Sequence, residues 1–165
     1  MKTDREIIEQ YSDFFPNRAD KTKSNMKYGF CCDVGWYPLI VTALEQLDEI
    51  EYAEFIEIVQ IKEKYGTLRI YFDISKDFEL KFNDNIFKRL YYWAKGFNVK
   101  TERNTLWKVV HKITAEAYNN SVTTCEICGK APALKGYSEY WIKTVCKNCS
   151  DVFENFTYDS TDKKS

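Results

Sequence analysis

Two stretches decide how the C-terminal part of the chain folds: Cys125-Glu126-Ile127-Cys128-Gly129 and, after a gap of seventeen residues, Cys146-Lys147-Asn148-Cys149. The spacing is that of a four-thiolate zinc site. Two thiolates separated by two residues turn back onto one metal in a tight knuckle. Two such knuckles complete a tetrahedron at about 2.3 Å per metal–sulfur bond. Gly129 follows the first knuckle, where a left-handed backbone or a close amide–sulfur approach is wanted. Trp141 to Val145 has strand character and runs directly into the second knuckle. Four protein ligands leave no open position for water or substrate, so the expected metal is a structural Zn2+. The alternatives are four reduced structural thiols, a redox Cys-x-x-Cys pair, or iron in the same ligand set. A redox pair more naturally stands beside a βαβ pattern, which the sequence lacks. The ribbon is too short to build a core alone, and metal binding supplies the folding free energy, roughly 10–16 kcal/mol in zinc-finger peptides.

Upstream of this module the pattern predicts helices packed on one hairpin. Phe55 to Glu63 and Thr67 to Ile74 alternate apolar and polar residues around a Tyr65-Gly66 turn, which favours an antiparallel pair. Thr3-Asp4-Arg5-Glu6 reads as a capping box opening a helix that reaches Phe15 and stops at Pro16. Gly35-Trp36-Tyr37-Pro38 opens a second helix with Ile40, Val41, Leu44 and Leu47 as its apolar stripe. A third is expected from about Asp84 to Phe97, with Ile86, Phe87, Leu90, Tyr91 and Ala94 facing inward. A fourth is expected from about Thr105 to Tyr118, carrying Leu106, Val109, Val110 and Ile113. The reading is therefore an α+β protein: helices on a small antiparallel hairpin sheet over residues 1–121, a four-cysteine zinc ribbon over 122–150, and a flexible tail over 151–165.

Composition bounds the function. The chain has 165 residues, 44% of them hydrophobic and 16% aromatic, which suits one packed domain with a small appended module. No apolar run is long enough for a membrane-spanning helix, and Met1 to Phe15 lacks a secretory pattern, so the expected compartment is the cytoplasm, with no membrane partner. Six cysteines in such a setting point to metal ligation; Cys31 and Cys32 are adjacent and poorly placed to bridge each other. The net charge of −1 argues against a large nucleic-acid footprint. The charges are nonetheless segregated. Tyr28 to Ile61 holds seven acids and no Lys or Arg, whereas Lys62 to Lys112 holds twelve bases against six acids.

The hairpin tip supplies the other candidate site. Lys62, Glu63, Lys64 and Arg69 cluster there with Gln60 and Tyr71 alongside, and Lys62, Lys64, Arg69, Gln60 and Tyr71 with Trp36 make a candidate ligand- or partner-binding set. The competing reading is a solvated hairpin with ordinary cross-strand charge pairs. Aromatic residues interleaved with bases, from Lys88 to Lys108, suit base stacking or simple core packing. His111 is the only histidine, lying near Trp107 and Tyr118 on one helix stripe. No nucleophile elbow, Walker loop, dinucleotide fingerprint or paired-histidine motif occurs, and the reading leans away from an enzyme, with no catalytic residue assigned.

Four motifs in order, Gly35-Trp36-Tyr37-Pro38-Leu39-Ile40, Val59 to Tyr71 with Lys62-Glu63-Lys64-Tyr65-Gly66-Thr67-Leu68-Arg69 at its centre, Cys125 to Gly129 and Trp141 to Cys149, together resemble a family of small uncharacterised proteins encoded by bacteriophages and bacterial prophages. Family members look like a helix, a Lys-Glu-Lys-x-Gly-x-Leu-Arg hairpin and a C-terminal zinc ribbon. They carry a Cys-Gly-Asp-Gly-Trp-like stretch where this chain has Cys31-Cys32-Asp33-Val34-Gly35-Trp36. The resemblance implies a phage-related origin and the ribbon, and no mechanism. The expected function is a non-catalytic binding or adaptor protein acting on a host protein in the host cytoplasm. The alternatives are a nucleic-acid-binding zinc-ribbon protein and a binder of a small anionic nucleotide at Gln60, Lys62 and Arg69.

Overall fold

The computed structural model describes residues 2–159, the side chain of Asn83 excepted. Helix α1 (Asp4–Gln10) opens on the expected capping box: Thr3 Oγ1 accepts from the Glu6 amide at 3.2 Å, and Glu6 Oε2 accepts from the Thr3 amide at 2.7 Å. The helix ends earlier than expected. A 3-10 turn over Ser12–Phe14 replaces its last turn and lets Phe14 and Phe15 both enter the core. Another 3-10 turn, Val34–Trp36, leads into α2 (Tyr37–Asp48), where Pro38 occupies the first turn and Ile40, Leu44 and Leu47 are buried.

Strands β1 (Ile56–Glu63) and β2 (Leu68–Ile74) pair antiparallel from Ile56↔Ile74 to Glu63↔Leu68, with a bulge between Ile58 and Gln60. Lys64 and Thr67 exchange backbone hydrogen bonds at 2.8 and 3.2 Å across a two-residue loop. Tyr65 and Gly66 both have positive φ, 55° and 74°, as the favoured tight hairpin turn requires. Cys31 pairs alongside Lys62 at the outer edge of β1.

Helix α3 (Asp77–Asn83) was not foreseen; it buries Phe78 and Phe82 on consecutive turns. The third expected helix is shorter, α4 (Ile86–Ala94), and its orientation corrects the sequence reading. Ile86, Phe87, Leu90, Tyr91 and Ala94, expected inward, are exposed. Tyr92 faces in instead, its ring 5.0 Å from Phe82 and 5.3 Å from Phe97. Asn85 caps the start by accepting from the Lys88 amide, and Gly96 at φ 74° folds Phe97 back so that its amide donates to Tyr92 O. Helix α5 (Val99–Ser121) begins a turn and a half sooner than expected because Asn98 caps it through the Thr101 amide. It packs on α2 and β2, with Leu106, Val110 and Ala117 buried.

The C-terminal part is a second sheet, β3 (Leu134–Tyr137), β4 (Ile142–Val145) and β5 (Thr157–Tyr158), in the order β4-β3-β5. One helical turn, α6 (Lys147–Ser150), follows β4. The stretch expected as a tail contains β5. β5 pairs with β3, and Phe153, Phe156 and Tyr158 pack on a small core of Cys125, Ala133 and Val145. The remainder of that tail, 160–165, lies outside the described residues. The molecule is thus mixed helix and small antiparallel sheets, and no helix among the described residues is long and apolar enough to cross a membrane.

Candidate metal centre

The turn ahead of β3 and the start of α6 face each other and bring four sulfurs together. Cys125, Cys128, Cys146 and Cys149 place their Sγ atoms within 4.8 Å of one another, and Cys128 Sγ lies 3.7 Å from Cys146 Sγ. Metal–sulfur bonds of about 2.3 Å give a tetrahedron edge of about 3.8 Å. The spacing therefore fits one four-coordinate ion. Each knuckle is held by its own backbone. Gly129 N donates to Cys125 O at 2.9 Å and Cys125 N to Lys130 O at 2.9 Å in the first; Cys149 N donates to Cys146 O at 3.0 Å in the second. An all-sulfur donor set selects a soft metal, and all four positions are filled by the chain.

The cluster is bolted to the helical body. Glu126, between the first two cysteines, is fully buried. Its amide donates to Thr144 O and its carbonyl accepts from Gly35 N at 2.7 Å. Its Oε1 accepts from Lys143 Nζ at 2.7 Å and from Asp33 N at 3.2 Å, while Oε2 has no hydrogen-bond partner among the described residues. Burial pushes the Glu126 carboxyl above the usual carboxylate range against the pull of Lys143. Burial also works against the Lys143 ammonium, but the Glu126 and Asp33 carboxylates outweigh it and leave that group above its ordinary value. Thr144 Oγ1 donates to Gly66 O at 2.6 Å, tying the ribbon to the hairpin tip. Gly35 is an obligatory gap: a Cβ there would stand 2.4 Å from Cys125 O and 2.5 Å from Glu126 O.

The second candidate set is not one cluster. Trp36 is completely buried, and its Nε1 donates to Thr124 O at 2.8 Å, so it anchors the metal module to the core. Lys62 and Gln60 lie half-buried on β1, with Lys62 Nζ 5.1 Å over the Tyr71 ring. Lys64, Arg69 and Tyr71 do converge, on a groove of about 560 Å³ between β2 and α5. The sequence reading missed its other wall, Trp107, His111, Thr114 and Tyr118. Their spacing along one stripe of α5 was the available signal; their pairing with the hairpin had none.

Comparison with protein-family models, with curated proteins and with solved structures finds no match for this chain.

Proposed function

We propose that the four sulfurs hold a structural zinc ion and that the chain is a non-catalytic adaptor, phage-encoded and acting on a host protein in the host cytoplasm. The observation that carries the structural role is the closed donor set: four thiolates within 4.8 Å, tied to the body through Glu126, Gly35 and Trp36. Zinc suits four thiolates in a tetrahedron and has no redox chemistry of its own. The phage origin rests on the motif resemblance.

The adaptor surface in this reading is the outward face of α4. Phe87 is 80% and Trp93 76% exposed, with Ile86, Leu90 and Tyr91 beside them. A monomer gains nothing from exposing five large apolar side chains on one short helix. Arg89 and Lys100 line the groove that Leu90, Trp93 and Phe97 form, and Lys95 lies over the Tyr91 ring. Such a rim repels a second copy of itself and suits an acidic amphipathic helix of a partner protein.

Metal analysis of the purified chain tests the first half: one zinc per chain is expected, and stoichiometric iron in its place refutes the assignment. Affinity capture from bacterial lysate tests the second. The native chain is expected to retain a saturable acidic partner that the Phe87→Ser/Trp93→Ser variant loses. Recovery of no saturable partner, or equal recovery by the variant, rejects the adaptor reading.

A further inference from the structure

A second surface, sharing no residue with the metal centre or the α4 groove, is built differently. The groove between β2 and α5 is lined by aromatic rings and cations. The Trp107 and His111 rings stack at 4.9 Å with planes 28° apart, and both residues are exposed on the groove side of α5. Phe72 lies behind Trp107, ring centres 6.1 Å apart. Across from them Arg69 holds its guanidinium 4.3 Å from the centre of the Tyr118 ring, and Lys64 stands 5.4 Å over Tyr65.

The cations here lie over aromatic rings, and the one acid at the hairpin tip, Glu63, turns its Oε1 to accept from the Gly66 amide. None of the residues lining the groove carries a carboxylate, and among the described residues Lys62, Lys64 and Arg69 form no ion pair. A guanidinium drawn to a ring face by cation–π attraction still has N–H donors available for an anion. A solvated surface with bases and acids interspersed would look different; the acidic groove of Asp13, Glu45, Asp48 and Glu49 is elsewhere.

We propose that this groove binds a nucleotide unit, an aromatic base carrying phosphate, either free or within a single strand. The base stacks on the open face of the Trp107–His111 pair, and Arg69 and Lys64 take the phosphate. Stacking is sequence-tolerant because every base has a π-face, so no base specificity is expected. The inference does not depend on the adaptor reading, because neither α4 nor its partner takes part.

The test uses the zinc-loaded full chain and fluorescence anisotropy at low salt with labelled oligo(dT) and oligo(U). ATP, inorganic pyrophosphate and a labelled DNA duplex are the companions. Saturable binding is expected. Trp107→Leu should weaken it by about five- to hundredfold, the loss of one stacked base, without changing its salt dependence. Arg69→Gln should also weaken it and reduce the log–log salt slope by about 0.7. Should Trp107→Leu lower the melting temperature, His111→Ala at the exposed other member of the stacked pair gives the same reading. Competition by ATP as strong as by the strand assigns a free nucleotide; binding confined to strands assigns a single-stranded nucleic acid. Three results overturn the proposal: no saturable binding, pyrophosphate competing as well as ATP, or duplex and strand binding alike that the variants leave untouched.

Discussion

Gly35 and Lys143 bear more on the metal centre than their places in the sequence suggest. Any side chain at Gly35 drives into the backbone of the first knuckle, so Gly35→Ala is an overpacking change with no flexible neighbour to yield. It is expected to cost about 1–3 kcal/mol and to raise amide exchange in the ribbon ahead of the body, as read by urea melts and exchange mass spectrometry. Lys143 is the counter-charge of a buried carboxylate, 2.7 Å away. Lys143→Met strands Glu126 and is expected to cost roughly 3 kcal/mol. The double variant Glu126→Leu/Lys143→Met should recover much of that loss, because it removes both charges. A double-mutant cycle checks this, and strict additivity would mean the pair is not coupled. The four cysteines were legible in the sequence because their chemistry fixes their spacing. The roles of Gly35, Trp36 and Glu126 were not, because each meets a partner roughly ninety residues away and leaves no local pattern.

Helix α4 shows what periodicity can and cannot say about an element. Spacing revealed an apolar stripe, and the stripe exists. Which way it points is decided by Tyr92, clamped between Phe82 and Phe97, and by the Gly96 turn that returns the chain to α5. The stripe therefore faces out, and only tertiary contacts carry that information. The hairpin, by contrast, was readable almost to the residue, because alternation and a two-residue turn are local properties. Two substitutions on this helix should then behave oppositely. Tyr92→Ala is expected to destabilise by about 2 kcal/mol or more, as an aromatic removed from a packed cluster. Phe87→Ser should stay within about 0.5 kcal/mol. Chemical denaturation of the two variants decides between this orientation and its reverse, in which Phe87→Ser is the damaging change.

At the scale of the molecule, the four-cysteine module and the body share backbone and side-chain hydrogen bonds, so an ion held by the sulfurs is expected to stabilise both. Among the described residues the ribbon's fully buried hydrophobic core is Cys125, Ala133 and Val145, with Phe153, Phe156 and Tyr158 partly buried against it, so little apolar burial holds it without metal. Metal binding of roughly 10–16 kcal/mol is comparable to the whole stability of an ordinary domain. The clamps run both ways: Trp36 to Thr124, Gly35 to Glu126 and Gly66 to Thr144 each join a body residue to a ribbon residue. Removing the ion with a strong chelator should therefore melt residues 122–150 first and carry β5 with them. It should also lower the melting temperature of the α2–hairpin body, since Trp36 loses its acceptor inside the core. Exchange mass spectrometry with and without chelator separates the two effects. A ribbon that stays protected after the metal has been shown to leave contradicts the structural role. A body whose melting temperature does not move while the ribbon melts contradicts the coupling.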